Sequence, residues 1–269
     1  MHALLVLFPF LAFSADFFFF ESSSFGRFME KAERARVIYL GETHDRKDVH
    51  EFQLRVIKEL EKKGYPIVIL MEAFQQPFQD ALDEYVECEI GEGEMLRRTE
   101  YHRRWRFNVE LYAPIWRFAK ERGIKLIALN IPSELLGEVR KRGIGGVRSR
   151  YFPRRIMPFR ERHRAFLLEA MGEHKKAVKK TFFDIQLAWD TGMSYRVAKA
   201  VLAYPEAKLV VIVGSGHVWR GYGIPERVNF LVGELPQLVS YVEDDEIYFL
   251  FSKDFSRESS STNSRREPN

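Results

Sequence analysis

Apolar residues come along this chain in short continuous runs, and between the runs they recur at helical spacing. Residues 37–40 (VIYL) form one such run, rich in β-branched and aromatic side chains. Residues 65–74 (YPIVILMEAF), 124–132 (IKLIALNIP) and 207–217 (AKLVVIVGSGH) read the same way, as strands buried on both faces. Over 46–62, Val49, Phe52, Leu54, Val56, Ile57 and Leu60 recur among charges with a helical period, which predicts a helix closed by Gly64, with Asp45 as its cap. Further helices are expected from Pro77, over 108–122 through Pro114 to Gly123, and over ELLGEVRKR behind a capping Ser133. Residues 143–200 read as mostly helical, entered through the irregular YFPRRIMPF. Residues 237–251 divide into two strands, a hairpin at a sheet edge. Strands alternating with crossover helices predict an α/β fold: a mostly parallel open sheet flanked by helices, with 143–200 as a helical lid-like insertion.

With 269 residues, 46% of them hydrophobic, the chain can build a full core, and we expect one domain over 16–251. The ends stand apart from it. Residues 1–15 (MHALLVLFPFLAFSA) are an apolar run closed by small residues, as in a secretory signal peptide, although no Lys or Arg precedes the run and Pro9 interrupts it. The DFFFF that follows would lengthen the run into an anchor, but Asp16 keeps it below spanning length. The expected setting is therefore an exported one. Residues 252–269 are Ser- and Arg-rich and read as a disordered tail.

The net charge of +4 conceals an asymmetry. Residues 72–100 carry nine acids against two bases, and 138–180 carry fourteen Lys or Arg against four acids. The basic segment suits an anionic small ligand, and Arg154 and Arg155 are expected to help cover a cleft. No RNA-binding or helix-turn-helix signature accompanies it, so no nucleic-acid partner is expected. The single cysteine, Cys88, excludes an internal disulfide and a CxxC metal knuckle, and its acidic neighbours argue against a nucleophile.

Chemistry gathers where the strands stop. VIYL ends in Gly41, Glu42, Thr43 and His44, and VVIV ends in Gly214, Ser215, Gly216 and His217, so a Gly-x-x-His pattern follows four apolar residues twice. The other strands stop at Glu72 and Asn130. In open α/β sheets ligands bind beyond the carboxyl ends of the strands, which predicts convergence of Glu42, His44, Glu72, Asn130 and His217. Glu42 and His44, two apart, would project to one side if the strand persists. Glu42, His44, Glu72 and His217 together suit a zinc, manganese or iron ion, and equally suit general acid–base work with His44 or Glu72 as the base. His50 faces either that cleft or solvent, while His102, His163 and His174 sit among charges and read as surface residues. Past His217, VWRGYGIPERV sets Tyr222 on a tight loop beside Trp219 and Arg220. Aromatic and basic groups so placed suit a flat anionic ligand such as haem, with a tyrosine or histidine as axial ligand. Plain packing of Tyr222 against its loop explains it equally well.

At these residues the chain resembles the ChaN family of haem-binding proteins. The matching blocks are GETHD at 41, LMEAF at 70, LYAPIWRFAKERGIKLIALNIP at 111, FFDIQLAWDTGMSYRVAKAV at 182 and GSGHVWRGYGIPERV at 214. In the fourth block Ala188, Trp189 and Gly192 stand where the family usually carries charge. The resemblance implies an α/β fold with a helical lid and non-covalent haem at a cleft or homodimer interface, served by His217, Tyr222, Arg220 and Asn130. It also implies a role in iron acquisition and a periplasmic or outer-membrane setting, with peripheral membrane association. Many members are lipoproteins, and this chain has no lipobox cysteine. The wider resemblance to erythromycin esterases and Tiki metalloproteases implies the alternative, a metal-dependent hydrolase at the same strand ends.

Overall fold

A computed structural model describes residues 22–171, 180–243 and 246–252. The expected signal peptide, all of the expected tail beyond residue 252, and His174 lie outside these residues. Six strands form one sheet: β1 (Val37–Glu42), β2 (Ile67–Gln75), β3 (Lys125–Asn130), β4 (Lys208–Gly214), β5 (Gln237–Glu243) and β6 (Glu246–Phe251). Their order across the sheet is β3-β2-β4-β1-β5-β6, parallel except for the antiparallel edge strand β6. The α/β expectation is met, with a mostly parallel sheet and a terminal hairpin. All residues of β1, β2 and β4 are buried, because helices cover both faces and no alternation with polar residues is needed.

On one face lie α1 (Ser22–Arg34), α2 (Lys47–Lys62) and α6 (Val109–Arg122), together with the short helices α3 (Gln79–Val86), α4 (Glu92–Arg98) and α5 (Tyr101–Arg104). Helix α2 buries Val49, Phe52, Val56, Ile57 and Leu60 on Ile38, Leu40, Ile69 and Ile212. Asp45 does not cap it. The N-cap position belongs to Arg46, with no side-chain bond, and Asp45 is exposed. Helix α6 is capped by Asn108, whose Oδ1 accepts from the Glu110 backbone N–H at 3.1 Å, and it runs through Pro114 to Gly123 at φ +61°. Helix α1, which the hydrophobic pattern did not single out, ends on the buried Lys208, whose Nζ donates to the carbonyls of Ala32, Glu33 and Ala35 at 2.8–3.2 Å. A cation there satisfies the carbonyls that a helix end leaves open.

The opposite face carries α9 (Lys180–Ala203) and α10 (Ile224–Val232), packed on Tyr39, Leu70, Val211 and Val213. The segment expected to be mostly helical is irregular over 147–160 before α8 (Glu161–Ala170). Together with α7 (Ser133–Arg142) the irregular stretch builds a third apolar cluster against Ile185 and Ala188 of α9. Gly192 lets this layer close, since a Cβ there would stand 2.1 Å from Ile131 Cγ2. Ser133 is the first residue of α7 and gives it no side-chain cap. Its hydroxyl accepts from Gln75 Nε2 at 2.6 Å instead. Among the described residues no helix is long and apolar enough to cross a membrane.

Candidate functional site

Strand β4 lies between β1 and β2, so the chain leaves these neighbouring strand ends in different directions and opens a crevice between them. A cavity of about 250 Å³ fills it, lined by His44, Glu72, Asn130 and His217 together with Arg104, Trp105 and Trp189. Glu72 is buried, and its Oε2 accepts the Gly214 backbone N–H at 2.7 Å. Its Oε1 lies 3.5 Å from His217 Nε2. A Cβ on Gly214 would come within 3.3 Å of His44 Nε2 and 3.6 Å of Glu72 Oε2, so the glycine allows both groups to crowd the end of β4.

Each histidine is held from behind by a carboxylate. His44 Nδ1 donates to Glu42 Oε1 at 2.8 Å, with the ring between Trp105 and Phe107 at centroid distances of 4.7 Å. His217 Nδ1 donates to Asp190 Oδ1 at 2.6 Å. Gln186 lies 3.0 Å from the same nitrogen, and with that proton committed to Asp190 the amide fits with its oxygen toward the ring. Both rings therefore turn Nε2 toward Glu72.

Glu42 does not join the cavity. It continues the Ile38 and Leu40 face of β1 and points under α2 and α6, where Tyr112 Oη donates to it at 2.6 Å and Gln53 Nε2 at 2.8 Å. His50 is buried beside it, with its nitrogens 3.0 Å from Gln53 Oε1 and 3.2 Å from the His44 carbonyl. The expected ligand set of Glu42, His44, Glu72 and His217 is thus divided, because a carboxylate already taken by three donors backs His44 instead of standing beside it. Among the described residues no group of three or more His, Cys, Asp or Glu could hold a metal ion. Asn130 is buried at the cavity wall and its Oδ1 has no partner. Arg104, from a segment outside the basic stretch, reaches the wall while paired to Glu100 and Glu134. Arg154 and Arg155 are exposed and do not line the cavity.

Tyr222 and Arg220 lie elsewhere. They line an open groove of about 410 Å³ with Trp219, Phe166, Arg162, Ala165, Glu169 and Glu243. Phe166 of α8 stacks on Trp219 at 4.0 Å and 7°, Trp219 lies 5.9 Å from Tyr222, and the Arg220 guanidinium sits 4.9 Å over Trp219. Among the described residues the Tyr222 hydroxyl makes no hydrogen bond. His163, expected at the surface, is fully buried between the two sites, while His102 is exposed as expected. The signal for His163 was its spacing from Leu167, four residues on, which marks the inward stripe of α8. Asp190, Gln186, Gln53 and Tyr112 were not singled out as site residues. A lone acid in the apolar stretch LAWD was the available sign of Asp190.

Burial favours neutral histidines, but at His217 it is outweighed by Glu72 and Asp190, and at His44 by the Glu42 bond and Glu72, so both pKa values rise above 6.5. Burial also favours neutral Glu42, yet the His44 bond, His50 and Tyr112 bring its pKa below 4.5. The histidine contribution to stability is present below about pH 6.5 and lost as pH climbs through the raised values. The Glu42 contribution is present above its ordinary value and lost as pH falls through the lowered one. The urea midpoint should therefore decline on the alkaline side, and His217→Asn should flatten that decline. An alkaline limb identical in the variant would exclude His217 as its source.

The haem-binding uptake family ChaN, of the Tiki superfamily, matches residues 28–228. A curated relative, Protein RETICULATA-RELATED 5, chloroplastic, of Arabidopsis thaliana, is 27% identical over 83% of this chain, which spans only 33% of that protein's length. The structure described as cofacial heme binding to ChaN of Campylobacter jejuni superposes with a TM-score of 0.61 at 16% identity, covering 84% of this chain and 91% of that one. An erythromycin esterase mutant in its open conformation matches more loosely, with a TM-score of 0.47 at 13% identity over 82% of this chain and 72% of its own.

Proposed function

We propose, since the chain belongs to the haem-binding uptake family ChaN of the Tiki superfamily, that it binds haem non-covalently in haem or iron acquisition or handling, and that the aromatic groove holds it. The observation that carries this is the Tyr222 hydroxyl, free of hydrogen bonds to the described residues, beside the stacked pair Phe166 and Trp219. A phenol so placed suits an axial iron ligand, flat rings suit a macrocycle, and Arg162 and Arg220 suit its propionates. The strand-end cavity, at about 250 Å³, is smaller than the roughly 300–1,000 Å³ typical of pockets that enclose drug-sized ligands. This moves the expected haem contacts of His217 and Asn130 to the groove residues. An open groove leaves one face of the ligand outward, where a second copy of the chain would cover it, in keeping with the cofacial binding described for the Campylobacter jejuni protein. An exported setting with peripheral membrane contact belongs to the same proposal, on the apolar segment 1–15 alone.

One observation favours a second use of the strand ends. Asn130 Oδ1 is buried without a partner at a cavity where two carboxylate-backed histidines face Glu72. A water activated by Glu72 or His44 would make it a hydrolase site. Haemin titration separates the readings. We expect a distinct Soret band, shifted by Tyr222→Phe with at least about tenfold weaker uptake, since even outer partners of a metal site are worth that much. Asn130→Leu, which fills the cavity, should leave the band in place. Loss of the band in Asn130→Leu but not in Tyr222→Phe would put haem at the strand ends. Absence of aryl-ester turnover in the same preparation would remove the hydrolase.

A further inference from the structure

His163 is completely buried, on a helix whose neighbouring residues Arg162, Ala165 and Glu169 are exposed. Four contacts fix its ring, one of them the Phe159 ring at 5.2 Å between centroids. Nε2 lies 2.8 Å from the Gly216 carbonyl, which only accepts, so Nε2 carries the proton of the neutral ring. One face stacks on Tyr222, 6.2 Å between centroids and 14° from parallel. Nδ1 faces Asp190 Oδ2 at 4.0 Å. Neither Nδ1 nor Oδ2 has a hydrogen-bond partner, because a ring lone pair there meets a carboxylate lone pair. The other oxygen of Asp190 holds His217 Nδ1, and His217 lines the strand-end cavity. Two buried polar atoms left unpaired cost stability, so their retention at this junction asks for a reason beyond packing.

We infer that His163 is a positioning residue that couples the two sites: through Asp190 it ties the cavity histidine His217 to the phenol of Tyr222 in the aromatic groove. This rests on the haem reading of the groove and adds to it that whatever engages His217 alters haem binding. The physical link is short and contiguous, running from His217 through Asp190 and His163 to Tyr222. His163 also fastens α8, which supplies the groove with Phe166 and Arg162, onto the Gly216–His217 turn. A shift of the Asp190 carboxylate must be taken up either by the loose 4.0 Å gap or by the His163 ring, and the ring can move only against Tyr222, Phe159 and the Gly216 carbonyl. Coupling of this kind is reciprocal, so haem in the groove should bias the cavity by the same factor.

A double-mutant cycle read by haemin titration tests it. Asp190→Asn keeps an oxygen for His217 Nδ1 and offers an N–H to the partnerless His163 Nδ1, while lying outside the groove. It should change haemin affinity by about fivefold or more, at the lower end of allosteric couplings, and shift the Soret band. In the His163→Gln background, where the Gly216 bond can be kept but the ring facing Tyr222 is gone, the same substitution should have no effect. Effects of Asp190→Asn that persist unchanged in that background, or are absent from both, would overturn the coupling while wild-type haem uptake still stands. No haemin uptake by the wild-type chain is a different result, and it removes the haem reading together with this inference.

Discussion

Glu42→Ala will lower the stability of the protein by about 3–5 kcal/mol, the range for breaking one side of a buried charged network. Its side chain is 1% exposed and accepts from Tyr112, Gln53 and His44 at once. Truncation takes the shared acceptor from all three donors beneath α2 and α6, where little water can replace the lost oxygens. Gln53 Nε2 keeps the Leu40 carbonyl at 3.2 Å and Tyr112 Oη the His44 carbonyl at 3.4 Å, and each N–H or O–H left short of a partner carries a desolvation cost. It also removes the carboxylate that holds the His44 Nδ1 proton, leaving the ring to Trp105, Phe107 and the longer 3.4 Å approach of Tyr112 Oη. Glu42→Gln, which can keep an oxygen for Tyr112 and His44 but introduces an N–H toward Gln53 Nε2, should fall between wild type and alanine. Urea unfolding of the three proteins gives the order. A cost below about 1 kcal/mol for alanine, the level of an ordinary single hydrogen bond, would mean that water fills the site.

The second large effect belongs to Gly223. Its backbone lies at φ +74°, ψ −115°, a conformation that only glycine adopts without strain. A Cβ there would stand 2.2 Å from the His217 carbonyl oxygen and 2.8 Å from its carbon, and neither backbone atom can swing aside. Gly223→Ala should therefore cost roughly 2–5 kcal/mol, combining backbone strain with overpacking. The damage should also be local in a telling way. The displaced carbonyl belongs to the cavity histidine, and the displaced loop carries Tyr222, so haemin uptake should fall further than the loss of folded protein explains. Full uptake by a stably folded Gly223→Ala protein would show that the loop tolerates a second path.

Much of this architecture could be read from the residues. Continuous apolar runs marked the parallel strands, and the repeated Gly-x-x-His after β1 and β4 pointed to the crevice between them. What could not be read was the partition of the candidate residues into two sites. Tyr222 follows His217 by five positions, but the positive φ values of Arg220 and Gly221 between them turn the loop away and present the phenol to another face. Glu42 was legible in part: alternation from Ile38 and Leu40 aims it at α2 and α6, away from the crevice. Only the turn after Glu42 brings the His44 ring back onto its carboxylate. His163 was misplaced because its sequence neighbours are charged, and burial depends on one helical stripe and not on local composition.

The position of β4 between β1 and β2 also governs how the chain can assemble as it is made. β1 pairs only with β4 and β5, and its first partner, Leu209 opposite Val37, is synthesised about 170 residues later. At the usual ribosomal pace of about 5–20 residues per second, the VIYL strand waits roughly 10–30 s with both edges unpaired. β2 and β3 can pair with each other early, but the central slot of the sheet stays open until β4 arrives. A nascent chain stalled before residue 208 should thus be the form most in need of chaperones, because it exposes an apolar, β-branched strand with nothing yet beside it.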